Sequence, residues 1–200
     1  MKDDFTTSTV IILAAGDSQR MGTPKGLLDY NGKPFLEHQI NCLSDLGFSE
    51  IIVVLGKDKN LYLEKVPKLG EISIAINHQP ERGPFSSLQC GLRIVSESAP
   101  SSVFILPIDV PCPKKNVWEQ MFDHLKKSSS RVSIPEFQGK KGHPVLLSEE
   151  FKNYLLTCKS DSRLDFEIRK QKAIVVAVDD ENITRNINTL EEWYEFKVKK

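Results

Sequence analysis

The residues best equipped for chemistry lie in one short run, Leu13-Ala14-Ala15-Gly16-Asp17-Ser18-Gln19-Arg20-Met21-Gly22-Thr23-Pro24-Lys25. Small residues let the backbone approach a ligand closely, and their N–H groups can face an anion. Arg20 adds a planar fork of donors, and Lys25 adds a compact point charge. A glycine-bearing loop with two cations suggests a cradle for a polyphosphate. Gly16 taken alone fits an ordinary strand-to-helix connection; the whole run does not. Asp109, in Leu106-Pro107-Ile108-Asp109-Val110-Pro111, complements the cradle. Its carboxylate is a hard oxygen donor suited to Mg²⁺, which typically takes one or two carboxylates plus substrate phosphates. Alone, Asp109 reads equally well as a turn aspartate capping the helix near Asn116.

Three further segments carry polar groups in suggestive places. Asn77 ends an apolar run, and Gly83-Pro84 leads from it into a helix. Ser86 and Ser87 either cap that helix or join Asn77 as neutral hydrogen-bonding groups for a base or ribose. Gly91 inside the helix is costly relative to alanine, which marks close packing or ligand approach. His143, between Gly142 and Pro144, either holds a hairpin or touches a second substrate. Lys140 and Lys141 beside it read as solvated, or as cations that could meet an anionic acceptor. Thr189 with Glu192 three residues on forms a capping box, which leaves Asn188 for another role.

These groups need elements to hold them. Thr9–Leu13, Glu50–Leu55, Ile72–Ile76 and Val103–Leu106 are rich in Val, Ile and Leu, as strands buried on both faces are. Helical patterns cover Pro34–Leu46, with Gly47 just past the end, and Ser86–Ser96 and Asn116–Lys127. This βαβ rhythm predicts a mainly parallel sheet with right-handed crossovers. Ligands of such sheets sit beyond the carboxyl ends of the strands, where both the Ala14–Lys25 and Pro107–Pro113 loops fall. Further on, Arg131–Phe137 and Pro144–Leu147 read as strands around a glycine-rich turn. Ala173–Val178 is another apolar run, and Leu190–Val198 a closing helix.

Composition bounds the function. Two hundred residues fit one domain, 1–200, with a sizeable core. Lys+Arg and Asp+Glu number 27 each, so there is no global pull toward nucleic acid or an anionic membrane. Four scattered cysteines argue against zinc or redox motifs and for reduced thiols in a cytoplasm. The polar N-terminus is unlike a signal peptide. No apolar run approaches the roughly 20 residues that span a bilayer.

In this order the segments resemble the MobA-like nucleotidyltransferases, and more closely the MocA-like branch. Leu13 to Lys25 matches the superfamily motif L-x-A/G-G-x-S-x-R-M-G-x-x-K at nearly every fixed position. Asn77, Gly83, Ser87, Leu88, Gly91 and Leu92 fit N-x-x-x-x-x-G-x-x-x-S-L-x-x-G-L. Asp109 and Pro111 fit D-x-P, and Gly139, Gly142, His143 and Pro144 fit G-x-x-G-H-P. The resemblance implies an α/β, single-domain, Rossmann-like (GT-A-like) three-layer nucleotidyltransferase fold. It implies transfer of a nucleoside monophosphate from an NTP to a phosphorylated acceptor such as molybdopterin, with release of pyrophosphate. By resemblance, Gly16, Arg20 and Lys25 grip the triphosphate, and Asp109 holds Mg²⁺. Leu13, Ala14, Ala15, Asn77 and Ser87 form the nucleotide pocket, and His143 faces the acceptor. Contacts with molybdoenzymes or their chaperones belong to the same expectation.

The chain also departs from the pattern. Asn188 stands where the MocA-like branch often has a metal-binding aspartate, although N-x-N-T is common in the MobA-like branch; its amide oxygen is a weaker candidate ligand. Lys159–Leu164 lacks the glycines of the MocA-like G-D-x-G-x-R segment. Ala15, where guanylyl-transferring members usually have glycine, leans toward CTP over GTP, while Lys25-Gly26-Leu27 looks MobA-like. Two alternatives stand beside this reading: a sugar- or alditol-phosphate acceptor, and a non-catalytic nucleotide-binding protein.

Overall fold

The computed structural model describes residues 4–16, 21–96 and 102–198. Arg20, one of the two expected cradle cations, lies outside them. The first strand, β1 (Thr9–Leu13), is followed by a two-stranded hairpin, β2 (Asp29–Tyr30) and β3 (Lys33–Pro34). Asn31 (φ 54°) and Gly32 (φ 84°) turn that hairpin, the left-handed pair that a tight two-residue loop demands. Then come α1 (Phe35–Asp45), β4 (Glu50–Leu55), α2 (Lys59–Lys65), β5 (Ser73–Ile76) and α3 (Pro84–Leu92). The second half runs β6 (Ser102–Pro107), α4 (Lys115–Lys127), β7 (Val132–Phe137), β8 (Lys140–Lys141), β9 (Val145–Ser148), α5 (Glu149–Thr157), α6 (Leu164–Arg169), β10 (Ala173–Ala177) and α7 (Leu190–Val198).

The main sheet has the order β10-β7-β9-β6-β1-β4-β5, with β8 paired to β7. β1 is parallel to β4 and β6, β4 to β5, and β7 to β10. β9 runs antiparallel to both its neighbours. The two-residue β8 is also antiparallel to β7, so the sheet is mainly parallel, as expected, with β8 and β9 reversed.

Strand periodicity builds the three layers. Side chains alternate across a sheet, so Val10 and Ile12 face one core while Ile11 faces the other. The first core joins α1, α4 and α7 to the sheet through Phe35, Ile40, Trp118, Met121 and Trp193. The second joins α3 and α5 through Phe85, Leu88, Phe151 and Leu155. Each such fully buried side chain contributes roughly 1.5–3 kcal/mol of transfer free energy.

Helix α3 differs from its sequence outline. It begins at Pro84, behind Gly83 (φ 96°), and ends at Leu92. Proline at the first helical position costs no hydrogen bond, so the helix starts two residues before Ser86. Neither serine caps it: both lie inside the helix, and the helix start has no side-chain cap bond. Three helices, α2, α5 and α6, were not foreseen; each is short. Among the described residues, no helix is long and apolar enough to cross a membrane.

Gly91 is a packing residue. A Cβ there would lie 2.8 Å from Ile11 Cγ2 and 2.9 Å from Val54 Cγ2, so glycine lets α3 press onto β1 and β4. Filling that contact forces off-rotamer side chains or backbone shifts. Gly91→Val is expected to lower the unfolding free energy by about 2–3 kcal/mol, measured as a fall in urea midpoint at unchanged slope.

Candidate functional site

The site assembles where β1 and β6 end side by side. Leu13 is partly exposed, while Ala14 and Ala15 are buried. The Ala14 N–H donates to Val54 O at 2.9 Å, fixing the first loop against β4. The chain leaves β4 through Gly56, whose Cβ would stand 2.6 Å from Ala15 O. Only glycine lets the two loops touch. Gly16 beyond it has open space around it, as close approach to a ligand requires.

Lys25 opens a 3-10 turn, Lys25–Leu27. Gly26 N–H donates to the Tyr62 hydroxyl at 3.2 Å, and a Cβ on Gly26 would lie 2.8 Å from the Tyr62 ring. Burial pushes the Tyr62 phenol well above its ordinary pKa, so it stays a neutral acceptor for that bond. Lys25 is thereby held in place by α2, an element that the sequence pattern did not reveal.

The Lys25 ammonium donates to Asp109 Oδ2 at 2.9 Å and to Asn188 Oδ1 at 2.7 Å. Both Lys25 and Asp109 side chains are mostly buried, at 17% and 22% exposure. Asp109 does not cap the helix near Asn116: α4 starts behind Lys114, with no side-chain cap bond. Its loop is held on three sides. Ile108 N–H donates to Leu13 O at 3.1 Å, and Ile187 N–H donates to Asp109 O at 2.9 Å. The wholly buried Gln39 of α1 donates to Val110 O at 2.7 Å and accepts from Cys112 N–H at 2.9 Å.

Asn188 reaches Lys25 because α7 is firmly docked. Trp193 packs edge-on against Phe35 at 5.0 Å, and Phe196 stacks on Tyr30 at 5.5 Å between centroids. The capping box is realised: Thr189 Oγ1 accepts from Glu192 N–H at 3.2 Å, and Glu192 Oε2 accepts from Thr189 N–H at 3.0 Å. Two oxygens, one anionic and one neutral, thus converge on one cation. Among the described residues no group of three or more His, Cys, Asp or Glu could hold a metal. A single carboxylate with an amide oxygen fits Mg²⁺, which keeps waters and takes substrate phosphates for its remaining ligands.

Asn77 and the two serines form a network of their own. The Asn77 amide donates to Ser86 Oγ and Ser87 Oγ, both at 2.9 Å, and its Oδ1 accepts from Gln79 N–H at 2.9 Å. Asn77 is buried, so its side chain shapes the β5–α3 loop; Ser87 also lines the central cavity. That cavity, about 1120 Å³, runs from Leu13, Gly16 and Lys25 past Asp109 to His143 and α6.

His143 sits in a tightly closed corner. Its N–H donates to Ile183 O at 2.8 Å, and a Cβ on Gly142 would meet that same oxygen at 1.9 Å. Burial lowers the imidazole pKa, against the pull of Asp109 and a bond to the Ile105 backbone. Its buried Nδ1 has no hydrogen-bond partner among the described residues. On the α6 side the buried Glu167 accepts from Ser162 at 2.5 Å, Tyr154 at 2.7 Å and Lys170 at 2.8 Å. Lys170, then Ser162 and Tyr154, hold its carboxyl at about 2.

A family model for the MobA-like NTP transferase domain matches residues 10–177. The chain is 25% identical over 190 residues to a molybdenum cofactor guanylyltransferase of Shewanella amazonensis, covering 91% of each. Its fold superposes on Rv0371c of Mycobacterium tuberculosis with a TM-score of 0.82 at 21% identity, covering 96% of this chain and 98% of that one. A manganese complex of Rv0371c gives 0.76 at 18% identity, over 95% and 97% of the two chains. Molybdopterin-guanine dinucleotide biosynthesis protein A of Archaeoglobus fulgidus gives 0.73 at 19% identity, over 95% and 97%.

Two expectations follow from the buried polar groups. Gln39→Leu leaves Val110 C=O and Cys112 N–H without their side-chain partner, at about 1–3 kcal/mol for each buried group. Chemical denaturation is expected to record that loss, and hydrogen exchange at the Cys112 amide to quicken. Glu167 has a folded pKa below its ordinary 4.5, so its stabilising effect is full above that value and fades as pH falls toward 2. Glu167→Gln is expected to be less stable than the parent at pH 7, with the gap narrowing below pH 4.5 in acid titrations followed by circular dichroism.

Proposed function

The chain belongs to the MobA-like NTP transferase family and is a nucleotidyltransferase, and on that premise we propose that it transfers GMP from GTP to the phosphate of molybdopterin. The observation that carries this reading is the convergence of Lys25, Asp109 and Asn188 at the mouth of the β1 loop. The guanylyltransferase name of the Shewanella relative favours GTP, against the lean toward CTP drawn from Ala15.

In the proposed reaction an acceptor phosphate oxygen forms a bond to the α-phosphorus of the nucleotide. The bond from that phosphorus to the bridging β-phosphate oxygen breaks, and pyrophosphate leaves with the electron pair. Such transfers depend on positioning and charge neutralisation rather than covalent catalysis. Lys25 neutralises the departing pyrophosphate, joined by Arg20. Asp109 and Asn188, once the Lys25 ammonium turns from them to the nucleotide, would hold Mg²⁺, which when bound supplies positive charge at the transferred phosphate. The manganese complex of Rv0371c supports a divalent metal in this fold. The second ionisation of a phosphate monoester has a pKa of about 6. The acceptor therefore arrives deprotonated at pH 7, and no side chain need act as base. Leu13, Ala15 and Gly16 line the donor's path, with Ala14 buried behind them and the Asn77–Ser87 network behind the base.

The reading is tested by pyrophosphate release from purified protein with each NTP, Mg²⁺ and a panel holding molybdopterin, an aldose 1-phosphate and glycerol 3-phosphate. GTP with molybdopterin is expected to be the productive pair; release only with CTP would replace the donor, and release only with a sugar phosphate would replace the acceptor. Asp109→Ala is expected to cut turnover by about 10²-fold or more, the scale of losing one preorganised electrostatic contact, with the native circular dichroism spectrum retained. Turnover near the parent value would remove Asp109 from the reaction.

A further inference from the structure

The donor loops belong to the β1, β4 and β5 side of the sheet, and the acceptor must meet the nucleotide from the other side of Asp109. There the wall is made by the turn before β9 and the segment after β10. Arg185 stands in that segment and lines the same cavity as Asp109 and His143. Its side chain is only 18% exposed. Nη2 is held by Glu181 Oε1 at 2.6 Å, and the guanidinium carbon lies 5.6 Å from the Phe196 ring centroid. Its buried Nε has no hydrogen-bond partner among the described residues.

The backbone around Arg185 is equally fixed. Asp180 accepts from Asn182 N–H at 3.1 Å and from Lys114 N–H at 2.7 Å. Arg185 N–H donates to Asn182 O at 3.1 Å, and two residues on, Ile187 N–H donates to Asp109 O. A guanidinium that is mostly buried, lies near an aromatic ring and sits on a loop bonded to the Asp109 loop is preorganised. Its five N–H donors form a rigid fork matched to phosphate oxygens, and the Glu181 contact engages one end. Lys141 lines this wall too but is exposed.

We propose that Arg185 binds the phosphate of the acceptor and positions it for attack. The inference rests on the transfer reading above, and it names the acceptor-binding cation of that site. An acceptor dianion approaching a triphosphate is repelled, and a fixed guanidinium on the acceptor side offsets that repulsion without gripping the donor. Glu181, exposed at the rim, occupies one end of the fork and takes no part in gripping the acceptor.

The test uses molybdopterin as the probe, titrated by calorimetry into protein saturated with a non-transferable GTP analogue, alongside steady-state kinetics with GTP. Arg185→Gln is expected to weaken molybdopterin binding and raise its KM at least tenfold, with the KM for GTP within twofold of the parent. Arg185→Lys is expected to recover part of the loss. Glu181→Gln breaks the same ion pair but keeps the cation, and is expected to bind molybdopterin as tightly as the parent. A parent that transfers GMP while Arg185→Gln binds molybdopterin equally well overturns this inference alone. An equal loss in Glu181→Gln, or a matching rise in the KM for GTP, overturns it as well, by reducing Arg185 to a structural or donor-side role. A parent that neither binds nor uses molybdopterin defeats the transfer reading and this inference with it.

Discussion

One ammonium group ties together three distant parts of the chain. Lys25 meets Asp109 across 84 residues and Asn188 across 163. An ion pair of this kind contributes little at a surface, but here both partners are mostly buried, and each sits on a loop with almost no secondary structure of its own. The contact therefore demands that the rest of the fold deliver three loops to one point. β1 and β6 supply two by ending as parallel neighbours, and α7 supplies the third by packing Trp193 and Phe196 onto the first helix and the β2–β3 hairpin.

The loops are set by buried polar side chains as much as by the sheet. Gln39 is the clearest case, an amide on the apolar stripe of α1 whose two ends bond the backbone on either side of Pro111. Tyr62 acts similarly for Gly26, and Asp180 fastens the start of α4 to the segment after β10. Each satisfies backbone groups that would otherwise be buried and unpaired. The same groups restrict where the charged side chains can go, so precision at the site and satisfaction of the loops are one requirement.

Much of this was legible in the sequence because it rests on local pattern. β1, β4 and α7 match their expected spans residue for residue, and the capping box at Thr189 formed as its spacing dictates. Asp109 could be placed at the ligand edge from the strand before it. Less legible were features that depend on partners far along the chain. Ser86 and Ser87 look like caps until Asn77 is brought over them. Gln39 carries a faint signal, a polar residue among Phe35, Leu36, Ile40 and Leu43, but nothing local says what it bonds. α2 and α6 are too short for periodicity to declare them. α5 had a readable start in Ser148, whose hydroxyl accepts from Phe151 N–H at 3.3 Å.

The reversed strand β9 has a consequence for how the molecule is completed. Because β9 runs against β6 and β7, no crossover helix separates β7 from it, and a short connection through β8 keeps His143 at the edge where Asp109 sits. The far side of the cleft is finished only when β10 has paired with β7 and the following segment has laid Arg185 and Asn188 alongside. During synthesis, then, the β1 loop and Asp109 emerge well before the residues that face them. The two ends of the cleft are made at different times, and the segment from β10 onward closes its far wall.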